Sequence, residues 1–474
     1  MYKKLIQSTL MLIIAVLISC MDSTQPAAKR TPNIVFFLAD DLGWKDVGYH
    51  GSEIQTPNID RMAARGVRLE QMYAMPLCTP TRACLMTGRY PMRMGLQTYV
   101  ILPWDRYGLP LEERTLPEAL KAAGYRTGIT GKWHLGHFDP AYLPTRRGFD
   151  HQYGLYLGMV DYYTHANVLG GLDWHRNGRA LREEGYSTDL IAREAVRLLE
   201  GHHMAQPLFL YVAFNAPHLP LQAPREYVDR YQHIQDTNRR TYAAMVTCMD
   251  NAIGQVLAAL DKRKMTDNTL VIFSSDNGGS TNQSAADNGR LRGGKLTLYE
   301  GGMRVPAWVV WPGKLKSGLV NQPLHVVDWY PTLLRLAGAS LQQPRPLDGK
   351  DIWPTIAEGK PSPHEEILLN YEADGQAIRR GDWKLVIDGQ RYLDWDADAR
   401  KTKGKVIIDR RIELFNIAQD PYEETNMAGK HPEKVQELLA RLQFYERQAV
   451  PGKRTLSPDP PARFKAPTVW GEKE

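Results

Sequence analysis

Four short apolar runs, each closed by polar residues, constrain this chain more than any other feature. They are Asn33 to Ala39 (NIVFFLA) before Asp40-Asp41, Arg126 to Thr130 (RTGIT) before Gly131-Lys132, Leu208 to Phe214 (LFLYVAF) before Asn215, and Thr269 to Ser274 (TLVIFS) before Ser275-Asp276-Asn277. Runs of this length and composition read as strands. Between them lie helical patterns, of which Thr188 to Glu200 and Tyr242 to Leu260 repeat apolar residues at three and four spacings. Pro32 to about Gly338 therefore predicts an α/β domain with a largely parallel sheet. In such sheets ligands bind beyond the carboxyl ends of the strands, so the polar groups after the four runs are expected to share one cleft.

Past Ser340 the pattern changes. Pro344, Pro346, Pro354, Pro361 and Pro363 interrupt the chain, short runs such as Trp383 to Ile387 follow, and Pro432 to Gln448 reads as a helix. This predicts a smaller α+β domain with a short antiparallel sheet over residues 348–474, after a main domain over 32–347. The Pro-rich tail from Pro451 is expected to wrap the surface and suggests no chemistry of its own.

The N-terminus joins Lys3 and Lys4 to an apolar run, Thr9 to Ile18, that is too short to span a bilayer, so residues 1–20 read as a signal peptide. Leu17-Ile18-Ser19-Cys20 resembles the lipobox of bacterial lipoproteins, which would make Cys20 the lipidated residue and 21–31 a tether at the periplasm or cell surface. The alternative is ordinary secretion with an incidental cysteine. Setting Cys20 aside leaves Cys78, Cys84 and Cys248, an odd number that argues against a disulfide framework. The net charge of +6 is modest and spread without a basic block, which points toward anionic substrates and away from nucleic acid.

Asp40 and Asp41 would repel each other at a strand end unless a cation neutralised them, and Asp276-Asn277 adds two more oxygen donors on the same edge. Such a cage suits a hard divalent metal, Ca²⁺ or Mg²⁺. Either pair alone also suits a turn or helix cap.

Cys78-Thr79-Pro80-Thr81-Arg82 matches the Cys-x-Pro-x-Arg signature of the formylglycine-dependent sulfatases, continued by Thr87-Gly88-Arg89. The stretch Gly124 to Gly136 (GYRTGITGKWHLG) resembles that family's second signature, and Pro217 to Pro220, Ser275 to Gly279, Arg292 to Lys295 and Tyr299 to Gly302 resemble further blocks, over about residues 30–430. The resemblance implies an alkaline-phosphatase-like fold and conversion of Cys78 to formylglycine by a maturation enzyme. It also implies Ca²⁺ held by Asp40, Asp41, Asp276, Asn277 and residue 78. Arg82 and His134 would then contact the formylglycine, with His134 as base. Lys132, Lys295 and His218 would bind the sulfate, and His218 would protonate the departing alcohol.

Pro80 suits the first turn of a helix, whose free amides favour an anion. Lys132 and His134, two apart, leave one face if their segment stays extended. Cys84 and Cys248 read as core thiols or as a disulfide pair. Asp161-Tyr162-Tyr163-Thr164-His165 resembles a segment of arylsulfatase B-like enzymes, making Asp161 and His165 expected substrate contacts; a structured loop is the alternative. The expected substrate is a 4-sulfated galactose-type unit of a carrageenan-like galactan or a glycosaminoglycan. Phosphonate monoester and phosphodiester hydrolases of the same fold share this chemistry. A silent glycan-binding lipoprotein would have lost site residues, and none is lost here.

Overall fold

The structure, a computed structural model, describes residues 31–372, 375–390, 411–453 and 460–472. The expected signal peptide and Cys20 lie outside the described residues.

All four apolar runs are strands: β1 (Asn33–Ala39), β2 (Arg126–Gly131), β3 (Leu208–Ala213) and β4 (Thr269–Ser275). They run parallel in the order β4, β1, β3, β2. Side-chain alternation splits each strand between two cores. Ile34, Phe36 and Leu38 join one and Val35, Phe37 and Ala39 the other; Phe209 and Tyr211 are divided from Leu210 and Val212 in the same way, and Leu270 and Ile272 from Val271 and Phe273. Burial on both faces is why these runs show no polar alternation. Among the described residues the sheet has ten strands, with His151–Gly154 parallel beside β2 and Ala307–Val310 antiparallel beside β4.

Helix α1 (Cys78–Thr87) lies on one face, with Ala83 to Met86 in the first core, and ends at Gly88 in the left-handed conformation (φ 69°). Helices α2 (Ser187–Glu200) and α3 (Thr237–Lys262) cover the other face through residues such as Leu190, Ile191, Met245 and Ile253. The carboxylate of Asp236 starts α3 by accepting from the N–H groups of Asn238 and Arg239. Cys84 and Cys248 are buried free thiols belonging to the two different cores, so the sheet separates them and the disulfide alternative falls away.

Toward the C-terminus, Glu366–Glu372, Gly375–Arg380, Trp383–Ile387 and Ile412–Asn416 form an antiparallel sheet in sequence order. Helix α4 (Pro432–Glu446) packs on the first core through Val435, Leu438 and Leu442. The sheet's other face, carrying Ile367, Leu369, Ala377 and Val386, meets Tyr73, Leu77, Leu296, Leu298 and Tyr299. It thereby backs the chain on either side of Cys78 and Lys295.

Candidate active site

The register of the parallel strands brings the site together. Ala39 pairs with Ser275, Leu38 with Ala213 and Gly131 with Ala213, so the four strands end at one level. Backbone bonds carry the alignment one step further: Asp276 N–H donates to the Ala39 carbonyl (3.0 Å), Asp40 N–H to Ala216 (3.0 Å) and Lys132 N–H to Ala213 (2.8 Å). Gly131 is required there. Its φ is +109°, and a Cβ would lie 1.8 Å from the Ala213 carbonyl oxygen.

Cys78 is the first residue of α1, and Leu77 before it is extended and offers no side-chain cap, so the helix amides remain for an anion. The thiol is buried, 3.4 Å from Asp40 Oδ1 and 3.9 Å from Asp41 Oδ1. Burial, then the Asp276 charge, pushes its pKa well above the usual thiol value, which suppresses thiolate chemistry. One donor atom from each of Asp40, Asp41, Cys78 and His218 lies within 4.8 Å of the others.

Three carboxylates and three cations interleave around this point. Lys132 Nζ lies 2.6 Å from Asp40 Oδ2, Lys295 Nζ 2.7 Å from Asp41 Oδ2, and Arg82 donates to Asp276 Oδ2 through Nη2 (2.8 Å) and Nε (3.1 Å). Arg82 also reaches the Lys132 carbonyl (3.1 Å), tying α1 to the end of β2. Burial raises Asp276 to about 6, with Asp40 adding to the shift. On Asp41 burial works upward, but Lys295 and His218 outweigh it and hold the carboxyl below its ordinary range. Asn277 donates to Asp41 Oδ1 (2.8 Å), while its own Oδ1 is buried with no hydrogen-bond partner among the described residues. An oxygen left unpaired beside three carboxylates is the donor set a hard divalent cation takes, so Asp40, Asp41, Asp276 and Asn277 fit such an ion.

Asp41 (φ 66°) and His134 (φ 57°) both sit in the left-handed region, at a cost of about 1–2 kcal/mol each. Each is pinned. Asp41 N–H donates to Asp276 Oδ1 (3.2 Å), and Tyr242 OH donates to the Asp41 carbonyl (3.3 Å). His134 N–H donates to Tyr156, and the His134 carbonyl accepts from Thr79 Oγ1 (3.1 Å). The positive φ corrects the expectation of an extended Lys132–His134 segment: the chain turns at His134, and the two side chains take different partners. His134 Nε2 donates to the Ile101 carbonyl (3.0 Å), leaving Nδ1 buried without a partner among the described residues. Burial and the Lys132 charge lower the His134 pKa well below the usual value. His218 Nδ1 is paired with the Leu219 carbonyl (2.8 Å), and its Nε2 lies 3.6 Å from Asp41 Oδ2.

Asp40, Asp41, Arg82, Lys132, His134, His218, Asp276, Asn277 and Lys295 thus stand around Cys78, while Asp161 and His165 make contacts of their own. His165 is 1% exposed, stacks on Trp174 and bonds the Gly185 carbonyl, so no ring edge is left for a sugar. Asp161 accepts from the N–H groups of Tyr163 and Thr164 and from Gln222 in a turn. The segment contributes instead through Tyr162, whose hydroxyl lies 2.7 Å from the Asn215 carbonyl and 2.8 Å from that of His218. Neither Tyr162 nor Thr79 was singled out in the sequence. Thr79 lay inside the Cys78 signature and Tyr162 inside the Asp161–His165 segment, and neither was given a role there.

Residues 32–339 match the Sulfatase family. The chain is 41% identical to arylsulfatase J of Mus musculus over 90% of this chain and 77% of the relative. It is 37% identical to N-acetylgalactosamine-6-sulfatase of Mus musculus, over 91% and 89% respectively. Among solved structures it resembles Ps i-CgsB in complex with k-i-k-neocarrahexaose, with a TM-score of 0.80 at 32% identity over 89% of this chain and 94% of that one. A match across most of the chain, joined to an assembled cysteine, carboxylate and lysine centre, makes this protein a member of the sulfatase family, a sulfuric ester hydrolase of alkaline-phosphatase-like fold.

Proposed function

We propose that the protein removes sulfate from a 4-sulfated galactose-type unit of a galactan or glycosaminoglycan, using formylglycine formed from Cys78 and a bound Ca²⁺. The observation that carries this reading is the charge balance around Cys78. Asp40, Asp41 and Asp276 are matched one for one by Lys132, Lys295 and Arg82. A divalent cation raises the total to two positive charges, which suits a sulfate monoester together with an ionised nucleophile. When present, the aldehyde hydrate supplies the oxygen nucleophile and the cation holds and acidifies it.

The chain's own residues do the rest. The uncapped start of α1 faces an anion with free amides. Were a cation held by the carboxylates, Lys132 and Lys295 would be released from Asp40 and Asp41 to orient the sulfuryl oxygens. Arg82 fixes Asp276 and the end of β2 in one geometry. With Nδ1–H engaged by the Leu219 carbonyl, His218 presents Nε2 toward the site and would have to take up a proton there from solvent, as an imidazolium, before passing it to the departing alcohol. His134, its Nε2–H on Ile101, keeps Nδ1 as a lone pair able to take the proton that releases sulfate.

The likeness to Ps i-CgsB, solved with a carrageenan oligosaccharide, and to N-acetylgalactosamine-6-sulfatase supports a sulfated galactose-type substrate. Export, with a lipid anchor at Cys20, rests on the N-terminal sequence and suits a polymeric external substrate. Rates on aryl sulfate, aryl phosphate and phosphonate esters, beside sulfate release from 4-sulfated galactan oligosaccharides, test the reading. Sulfate esters should be turned over at least a hundredfold faster; activity confined to phosphate or phosphonate esters would sink it.

A further inference from the structure

Asp173 is a fully buried acid to which the chemistry around Cys78 assigns no part. Its carboxylate accepts from two successive backbone N–H groups, Tyr156 onto Oδ1 (2.9 Å) and Leu157 onto Oδ2 (2.8 Å). Its own N–H donates to the carbonyl of the buried His165 (3.0 Å), which holds it in place. His175 Nε2 stands 3.2 Å from Oδ1, and the His175 ring stacks on that of Tyr156 at 4.1 Å. Burying a carboxylate is costly unless its oxygens are paired, and here both are spent on one stretch of backbone.

That stretch holds His134. The Leu155 carbonyl accepts the Trp133 N–H and the Tyr156 carbonyl accepts the His134 N–H, each at 3.0 Å. Two residues on, Gly158 lies against the imidazole: a Cβ there would stand 2.7 Å from Cε1 and 2.9 Å from Nε2, the atom that donates to the Ile101 carbonyl. Asp173 therefore fixes the peptides that lie between the acceptor of the His134 N–H and the glycine that bounds its ring. His134 sits at a φ of 57°, a conformation it keeps only while its surroundings impose it.

We infer that Asp173 is a positioning residue for His134. Through the Tyr156–Gly158 segment it sets the turn at His134 and the placement of the ring, with Nε2–H on Ile101 and Nδ1 free. The inference rests on the reading of His134 as the base that releases sulfate. Asparagine cannot take over, because its one oxygen accepts one N–H while its amide N–H groups oppose the other. A shift of about 1 Å in a reacting group can cost roughly a hundredfold in rate.

The test compares His134→Ala, Asp173→Asn and Gly158→Ala with the parent, all as full chains carrying formylglycine, on 4-methylumbelliferyl sulfate. A base needed only for sulfate release leaves alcohol release fast when it is misplaced, so a burst approaching one alcohol per converted site should precede slow turnover. In all three variants kcat should fall at least about tenfold and KM should fall with it, leaving kcat/KM within about twofold. The burst counts folded, converted sites, so a partly unfolded variant still answers, and Gly158→Ala reaches the same ring should Asp173→Asn not fold. In unconverted protein, the imidazole ¹⁵N signals of His134, identified by their loss in His134→Ala, should shift in the other two variants. With His134→Ala slowed, parent-like kcat or parent-like His134 signals in Asp173→Asn and Gly158→Ala would overturn the inference and leave the base reading standing. So would equal losses in kcat and kcat/KM without a burst. If His134→Ala itself shows neither loss nor burst, the base reading falls and the inference falls with it.

Discussion

Replacing Lys384 with methionine tests how the C-terminal sheet is joined to the catalytic chain. Lys384 is fully buried, with Nζ 2.9 Å from Glu300 Oε1 and 2.8 Å from Glu423 Oε1. The second Glu300 oxygen accepts from Tyr73 OH (2.8 Å), which Arg379 also contacts, and the Glu300 N–H donates to Glu423 Oε2 (2.7 Å). Arg304 stands 3.9 Å from Glu300, too far to replace the lysine. Removing one partner of a buried ionic group costs about 3–5 kcal/mol.

The loss should depend on pH. Burial raises Glu423 to about 7, with Lys384 opposing the shift and Glu300 adding to it. A carboxyl whose folded pKa exceeds its unfolded value of about 4.3 binds more protons in the native state, so stability falls as pH rises through that window. In the parent the fall ends near pH 7. Without Lys384 the pKa moves higher and the fall continues, at about 1.4 kcal/mol per pH unit. Urea unfolding followed by tryptophan fluorescence should therefore show a loss of about 3–5 kcal/mol at pH 8 and roughly 1.4 kcal/mol less at pH 6. A loss below about 1 kcal/mol at both values, or a larger one at pH 6, would refute the reasoning.

Three further outcomes follow from single residues. His325, fully buried, is lowered to about 3 by burial, with Asp328 opposing and His364 adding; because its unfolded pKa is near 6.5, stability should fall as pH drops from about 6.5 toward 3, by up to roughly 5 kcal/mol, and His325→Gln should flatten that part of an acid-unfolding curve. Gly131→Ala, whose Cβ would lie 1.8 Å from Ala213 O, should lower stability by about 3 kcal/mol or more in urea and abolish sulfate release by displacing Lys132. Chelation should lower the unfolding midpoint. Restoring Ca²⁺ to a hundred times its dissociation constant should return about 2.7 kcal/mol, an increment that Asn277→Ala removes in the same titration.

The four central parallel strands were legible in the sequence because they are buried on both faces, which leaves largely apolar runs such as NIVFFLA, whereas the six outer strands of the ten-stranded sheet, several only two or three residues long, carry no such run. Asp40, Asp41, Asp276 and Asn277 were legible for the matching reason: each begins where such a run stops. What the sequence obscured depends on contacts distant along the chain. The turn at His134 is set by Tyr156 and Thr79, and nothing in Lys132-Trp133-His134 announces a positive φ. The partners of Asp161 and His165, namely Gln222, Gly185 and Trp174, are likewise distant along the chain and left no mark in the segment itself. The prolines of the tail suggested surface wrapping, but not the contacts through which Trp470 and Phe464 meet Gly170 and Trp104.

The most direct test compares two preparations of the same chain, one with Cys78 converted to formylglycine by co-expression of a maturation enzyme and one unconverted, each checked by peptide mass, for sulfate release from a 4-sulfated galactan oligosaccharide in the presence of Ca²⁺. Release should rise in proportion to the converted fraction and be absent from Cys78→Ser; equal release from both preparations, or none from fully converted protein on any sulfate ester, would contradict a nucleophile made from Cys78.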